Sequence, residues 1–500
     1  MARPKLVLIW LKRDLRISDH PAFEAAIQTK LPVYAFYLFE PDLLIQPDVD
    51  LRHIRFIKES LLSMNHKLLP LRAVVHSHAC NAIEFFQQIN ERYEIQNLFS
   101  HQETGNLESY KRDKQVSEFC KDHGIIWKEF KPSYIIRGLK SGRLGWKDKW
   151  KSWMQEACIE PNWNLAKERN LFITTPISIN LNPEIKGILN KKFPFRLNQA
   201  HDFQIGGLEE SENTIASFLG SRYKKYSGCI SKPEESRTHC SRLSPYLAFG
   251  AISAKQVYQR TYSTRANLNY SGKKQVDRFL SRLAWRDHMI QKFESECRIE
   301  FENFNLAYDT VIHQRKENFI QAWQEGRTGY PLIDASMRCL LSTGYLNFRM
   351  RAMLVSFLTM ILWQDWRWGV HFLARQFLDY EPGIHYFQFQ MQASTVGNHQ
   401  IRIYNPYKQI LDNDPNCYFI KQWIPELRKT SIPDIQTWGI ESPGLFSVKI
   451  DYPQPIVDFK TSYNHARDIM FTYQSSPEVQ KNLNMIRKMH IVDRRKQSFR

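Results

Sequence analysis

The sequence predicts an α/β half followed by an all-α half. Residues 1–135 read as a doubly wound parallel α/β domain, 136–205 as a long connector, 206–480 as a helical domain and 481–500 as a basic C-terminal tail. Three observations carry this reading. Short apolar runs alternate with helical stretches in the first part. From about residue 206 the hydrophobic period turns helical. The 500 residues include 43% hydrophobic positions, 13 Trp, 22 Tyr and 31 Phe, enough apolar mass to fill more than one core and to exclude a disordered chain.

Five runs read as buried strands: LVLIWL (6–11), LPVYAFYLF (31–39), RAVVHS (72–77), IQNLFSHQ (95–102) and GIIWKEF (124–130). Stretches such as HPAFEAAIQ and LRHIRFIKESLLSMN separate them with helical spacing, the pattern of a parallel sheet covered on both faces. The first glycine is Gly105. A phosphate loop after the first strand needs glycine for its tight turn, so a Rossmann dinucleotide site and a P-loop are both excluded from their usual place. The connector opens rich in Trp and Lys and continues as NLFITTPISINLNPEIKG, which reads as extended. TIASFLGSRYKKY, AISAKQVYQRTY, KKQVDRFLSRLAWRDHMIQKFE and DASMRCLLSTGYLNFRMRAMLVSFLTMIL then read as helices, and KNLNMIRKMHIVDRRKQSFR as a helix end or a flexible tail. There is no internal repeat.

Lys and Arg number 69 against 51 Asp and Glu, a net charge of +18. That excess favours an anionic partner, nucleic acid before a membrane surface; the plain alternative is a basic surface. The N-terminal MARPKLVLIWLKRDLR reads as a strand rather than a signal peptide. Ala352–Trp363 is too short to span a bilayer. A soluble, cytoplasmic protein is expected. The eight cysteines form no C-x-x-C, so zinc and iron–sulfur ligation have no support and no metal is expected. His76, His78 and Cys80 alternate along a strand and read as strand-end polar residues before metal ligands. DYEPGIHYFQFQMQ (379–392) is different. It sets two carboxylates, a histidine and three glutamines among aromatics, just after a long apolar helical stretch.

Several segments identify a family. KRDLRISDHPAF, SRLSPYLAFGAIS (241–253), WQEGRTGYPLIDASMR (323–338), IRIYNPYKQ (401–409) and FIKQWIPELR (419–428) resemble, in the same order from residue 5 to about 465, the DNA photolyase/cryptochrome family. The resemblance implies an α/β domain joined by a long connector to a helical domain that holds a U-shaped FAD. Ser241, Arg242 and Ser244 supply hydroxyls and N–H donors at a helix start, which suit a diphosphate; alone, Ser-Arg-x-Ser is a simple cap. Leu243 shares that segment, Tyr226 falls where the family sets a tyrosine over the phosphates, and Arg286 and Tyr345 complete the cofactor set. Asp379 matches an aspartate paired with an arginine, here Arg351, beneath the flavin; a buried carboxylate needs such a partner. Glu381 falls where a second acid meets the flavin's polar edge. His385 falls opposite flavin N5, where photolyases typically carry asparagine. Because histidine titrates near neutrality, it reads either as a proton donor to the photoreduced flavin or as a hydrogen-bonding group that tunes the ring.

The chain also departs from the family. The glutamate that serves cyclobutane-dimer repair is Arg282, beside a retained Trp285 and Arg286. The matching asparagine is Phe348, and the tryptophan that stacks on the dimer is Met391. The histidines of (6-4) enzymes would fall at Phe348 and Ala352. In the tryptophan relay the proximal position is Phe389, the middle one survives as Trp366, and the distal one lies near Tyr308. Trp363, Trp368 and Tyr345 offer another route or simply pack the core. Arg349 and Arg402 match phosphate-binding arginines, with Lys408 nearby, so DNA is the expected partner. HQETGNLESYKRD (101–113) resembles the loop near an antenna, folate or deazaflavin, with Glu108 as a contact. The expected function is a FAD-binding, blue-light-absorbing flavoprotein acting as a cryptochrome-like photoreceptor through flavin photoreduction, with His385, Trp366 and Arg282 as the reactive set. The alternative is a deoxyribodipyrimidine photolyase, a carbon–carbon lyase, with a rebuilt pocket. A third reading is a structural DNA- or partner-binding flavoprotein. The sequence names no signalling partner.

Overall fold

Alternation along the first strand sets the architecture. Within Lys5–Leu11 (β1), Val7, Ile9 and Leu11 enter one core, while Leu6, Leu8 and Trp10 enter another. A strand buried on both faces requires this two-residue period. The computed structural model describes residues 2–139, 142–179, 203–397, 400–440 and 450–490. In it, β1 is the middle of a five-stranded parallel sheet with Val33–Leu38 (β2), Val75–His78 (β3), Glu94–His101 (β4) and Ile126–Phe130 (β5), ordered β3-β2-β1-β4-β5. Helices Pro21–Gln28 and Leu51–Leu68 pack on one face, and Ala82–Arg92 and Leu107–Asp122 on the other. Strand order reverses between β1 and β4, so a crevice opens at their carboxyl ends.

The stretch expected as a connector is more ordered than its composition suggests. Its Trp- and Lys-rich part is the helix Trp146–Gln155, buried through Trp146, Trp150 and Met154, and Trp163–Glu168 forms a second helix. Phe172 then forms an isolated parallel bridge to Val33 at the start of β2. Residues 180–202 of this stretch lie outside the described residues.

One core runs from the sheet into the helical half. Val7, Ile9, Val33 and Phe99 share it with Phe218, Tyr246, Val257 and Phe279. Gly250 makes this approach possible. It has φ +71, and a Cβ there would collide with the Arg13 carbonyl at the end of β1. The helix Tyr270–Ser295 starts at Asn269, whose side chain accepts from the Gly272 amide at 2.9 Å. It runs beside Pro382–Gln392, where an added Cβ on Gly383 would lie 2.9 Å from the Ile290 Cα. The long helical stretch expected over 334–362 is broken. Pro331–Thr343 ends at Gly344, with φ +67, and Asn347 caps a new helix, Phe348–Ser356, that runs into a π-turn, Phe357–Ile361. At the other end, Pro477–His490 is a packed helix with Val479, Leu483 and Ile486 buried, so the expected tail begins as structure; 491–500 lie outside the described residues. Among the described residues no helix is long and apolar enough to cross a membrane.

Candidate functional site

The break at Gly344 places Arg351 in the first turns of a fresh helix, facing the loop that precedes Pro382. There Asp379 accepts two hydrogen bonds from Arg351, Nη1 to Oδ1 and Nη2 to Oδ2, each 2.9 Å. Arg351 Nε also donates to the Leu346 carbonyl at 2.8 Å, and the guanidinium lies 4.1 Å from the Phe377 ring centroid. Burial alone would raise the Asp379 carboxyl. The Arg351 charge outweighs it and, with the Ser244 hydroxyl, holds the group below its ordinary value.

This ion pair floors a cavity lined by Phe348, Val355, Phe377, Ile384 and Phe389 and by the polar groups of Tyr380, Glu381, His385, Gln388 and Gln392. Glu381 is held by Arg286, whose Nη2 donates to Oε2 at 3.2 Å, and Arg13 Nη1 lies 3.8 Å from the same oxygen. Burial nevertheless raises its carboxyl above the ordinary value. His385 Nε2 lies 2.8 Å from the Val370 carbonyl. A carbonyl only accepts, so Nε2 carries the proton and Nδ1 is left as an acceptor. Burial pushes the imidazole down to about 4, so it is neutral at pH 7. The three glutamines of the opening stretch divide. Gln390 turns away to bond the Phe304 amide and the Ile299 and Glu302 carbonyls, a structural duty. Gln388 and Gln392 line the cavity, and Gln388 Oε1 is buried without a partner.

The remaining expected cofactor residues adjoin this cavity unevenly. Ser244 reaches Asp379. Arg242, at φ +60, lies 3.6 Å above the Tyr345 ring and donates to Gln204 Oε1 at 2.9 Å; Arg351 lies 5.9 Å from the same ring. Leu243 is fully buried in the core shared by both halves. Tyr226 packs edge-on against Phe218 and Phe279 at 5.8 Å and is not among the lining residues. Trp366 sits behind Phe389 at 6.4 Å and donates through Nε1 to Asn303 Oδ1 at 2.9 Å. Tyr308 is buried with its hydroxyl unpartnered.

Phe348, on the cavity lining, is 51% exposed; Trp285, outside that lining, is 47% exposed, with Arg282 5.9 Å from its ring. Arg349, Arg402 and Lys408 line a shallow groove with Tyr463, Arg467 and Phe471. Lys408 also pairs with Asp412 at 3.2 Å.

A second cavity occupies the crevice at the sheet's switch point. It is lined by Trp10, Lys12, Arg13, Tyr37, Glu40, Asp48, His53, Glu103 and Arg112, and closed by Phe249 and Tyr380. Arg112 donates to Glu40 at 2.8 Å, to Glu103 at 2.7 Å and to Asp113 at 2.8 Å, and lies 4.7 Å from the Trp10 ring. Glu108 faces away and pairs with Lys111 at 2.6 Å. Nearby, Asp14, His20 and His101 converge. His101 Nδ1 lies 2.6 Å from Asp14 Oδ2, and His20 Nδ1 accepts the Phe23 amide, leaving its Nε2 to face Asp14 at 3.2 Å. Arg16 beside His101 adds a positive charge, so this is a structural knot rather than a cation site. His76 and His78 are likewise bonded, to the Ile173 carbonyl at 2.9 Å and to the Tyr34 hydroxyl at 2.8 Å.

Sequence reasoning missed Arg13, Asp48, His53 and Tyr380 at the site. Two of them lie in segments the sequence singles out, Arg13 in KRDLR and Tyr380 in DYEPGIHYFQFQMQ; Asp48 and His53 carry no signal.

A doubly wound parallel sheet fused to a helical domain, with a largely apolar cavity over an arginine–carboxylate pair in the helical half, defines the class: an α/β plus all-α two-domain fold. The comparisons agree. Residues 7–138 match the DNA photolyase model and 279–472 the FAD binding domain of DNA photolyase. The deoxyribodipyrimidine photo-lyase of Vibrio cholerae is 29% identical, over 91% of this chain and 96% of its own length. An archaeal photolyase structure from Sulfolobus tokodaii, described with two FAD molecules, covers 94% of this chain and 99% of its own at 25% identity and a TM-score of 0.74. A Synechocystis cryptochrome shares the fold, with a TM-score of 0.82 at 22% identity over 94% of this chain and 100% of its own. The chain belongs to the DNA photolyase/cryptochrome family of flavoproteins and carries its FAD-binding domain.

Proposed function

We propose that this protein is a blue-light photoreceptor that binds FAD in the helical cavity and engages DNA through the adjoining basic groove. The observation that carries the cofactor assignment is the cavity itself. It offers an anchored cation, Arg351, an acid edge at Glu381, an acceptor at His385 Nδ1, an unpartnered Gln388 oxygen and apolar walls for a ring. These groups fit a flavin. Bound there, FAD would supply absorption of blue light and one-electron chemistry. Arg351 and Asp379 would orient it, Ser241, Arg242 and Ser244 would meet its phosphates, and Phe348 and Phe389 would exclude water. His385 acts in this reading as an acceptor that tunes the ring, because its proton is committed to the Val370 carbonyl.

The photoreceptor reading rests on the substituted pocket. Arg282, Phe348 and Met391 replace the glutamate, asparagine and tryptophan expected for dimer repair. One feature favours photolyase as the second reading: Trp285 is retained and 47% exposed, with Arg282 5.9 Å from its ring, an aromatic face on which an unpaired base can stack. In the crevice cavity, Trp10 and the Arg112 network suit a second planar chromophore, a folate, a deazaflavin or a flavin such as the second FAD described for the Sulfolobus photolyase.

The test is anaerobic illumination of the FAD-loaded, reduced protein with dimer-containing oligonucleotides. Restored thymines exceeding the flavin present make it a lyase. No restored thymine, with light-dependent change in the proteolysis of helices Phe459–Gln474 and Pro477–His490, makes it a receptor.

A further inference from the structure

Phe389 blocks the expected entry to Trp366, so light-driven reduction needs another donor. Tyr380 lies in the wall between the two cavities and lines both. Its ring is 5.3 Å from that of His385 and 5.9 Å from that of His53. Its hydroxyl donates to Asp48 Oδ2 at 2.6 Å. Asp48, 2% exposed, comes from the α/β half; its Oδ2 takes one further bond, from Asn106 Nδ2 at 3.3 Å, and its Oδ1 is buried with no partner.

We propose that Tyr380 is the electron donor to the light-excited flavin and that Asp48 is the base that takes its proton. This rests on the FAD reading above. The balance is closed. Tyr380 loses one electron, which the excited flavin, the oxidant, gains. The phenolic O–H bond breaks, the proton passes to Asp48 Oδ2, and a neutral tyrosyl radical faces a protonated carboxyl. A phenol that loses an electron becomes a strong acid, so a carboxylate already hydrogen-bonded to it lowers the barrier.

The other aromatics near the cavity lack this arrangement. Tyr386 lines neither cavity, and its buried hydroxyl faces Tyr380 rather than a carboxylate that could take its proton. Tyr345 lies 3.6 Å below one guanidinium and 5.9 Å from a second, and positive charge opposes its oxidation. Trp366 does not line the cavity and meets it only through Phe389. Asp48 also lines the crevice cavity, which gives its added proton a way out.

The test is time-resolved absorption and EPR of the FAD-loaded protein under blue light without DNA. The expected result is a neutral tyrosyl signature in the wild type and in Trp366→Phe, lost in Tyr380→Phe, and about a hundredfold weaker in Asp48→Asn. Asp48→Asn keeps the test open if Tyr380→Phe fails to retain flavin. A signal that survives both substitutions, or one that disappears in Trp366→Phe, overturns the proposal and leaves the flavoprotein reading standing. A chain that takes up no FAD overturns both. The pairing also has a readout in the cofactor-free protein: Tyr380→Phe shifts the Asp48 carboxylate band in the infrared difference spectrum, and an unmoved band refutes the hydrogen bond on which the step depends.

Discussion

Replacing Arg351 by Met tests the floor of the cavity directly. The substitution keeps much of the side-chain volume and removes the cation. Asp379, whose side chain is 7% exposed, is then a buried carboxylate without a counter-charge. Contacts of 2.9 Å set the charge centres about 4 Å apart, worth about 4 kcal/mol at an effective dielectric of about 20. Breaking one side of a buried pair costs about 3–5 kcal/mol. Arg351 is 24% exposed, so water already screens part of the attraction, and a loss of about 3 kcal/mol at pH 7 is expected. The sign with pH follows. In the wild type Asp379 sits below its ordinary value, so its contribution is full above the unfolded value of about 3.9 and is lost as pH falls through the lower folded value. In the variant, burial is opposed only by the Ser244 hydroxyl and a backbone bond, so the carboxyl rises and proton uptake relieves the penalty. The gap between the two proteins must therefore narrow from pH 7 to pH 5. Urea unfolding followed by circular dichroism measures it, with Arg351→Met/Asp379→Asn as the repaired pair. A loss below about 1 kcal/mol, a gap independent of pH, or a double variant no better than the single one would refute the reasoning.

Burial holds His385 near 4 against about 6.5 in an unfolded chain. The native state refuses a proton that the unfolded chain accepts, so stability falls as pH drops from about 6.5 toward 4; urea midpoints across that range should show a slope that His385→Gln flattens. Phe389→Trp fills the gap before Trp366, whose ring lies 6.4 Å from residue 389; flash absorption should then show a tryptophan radical where the wild type shows none. Arg349→Ala and Arg402→Ala should each lower the slope of log affinity against log salt for duplex DNA by about 0.9, measured by fluorescence anisotropy, while Glu317→Ala, which does not line the groove, leaves it unchanged.

The sheet was legible because its inner strands β1 and β2 are buried on both faces and so read as unbroken apolar runs, and all five expected strands stand near their expected bounds, the half-exposed edge strands β3 and β5 included. The helix Trp146–Gln155 escaped notice although Trp146, Trp150 and Met154 recur every four residues, which is a helical face. The break at Gly344 was written in the Gly-Tyr-Leu-Asn that ends one helix and caps the next, but a continuous apolar pattern masked it. Arg351 and Asp379 were found only through resemblance. Nothing local says that an arginine and an aspartate 28 positions apart will meet. Tyr380 and Asp48 are 332 positions apart; Tyr380 lies in a conspicuous stretch, but nothing in it points to Asp48. Contacts of that kind are set by how the two halves dock, which no local pattern encodes.

That docking explains why the loop before Pro382 can serve as a wall. Its backbone is clamped from the α/β half: Arg13 donates to the Tyr380 carbonyl at 3.2 Å, Arg52 to the Gln376 carbonyl at 2.6 Å, and His53 to the Phe377 carbonyl at 2.9 Å. From the helical half, Arg351 fixes Asp379 and Arg286 fixes Glu381. Residues 376–381 are therefore held on both sides by charged or ring donors, and a loop that would otherwise relax keeps its side chains aimed alternately. Asp379 and Glu381 turn into the helical cavity, while Tyr380 reaches across to Asp48 in the crevice. Two side chains therefore join the cavities: Tyr380, which lines both and bonds Asp48, and Arg13, which lines the crevice and lies 3.8 Å from Glu381 of the helical cavity. A rigid loop carrying both contacts keeps the donor Tyr380 and its base Asp48 at hydrogen-bond distance while the helical cavity is filled, which is the geometry the proposed electron and proton transfer needs.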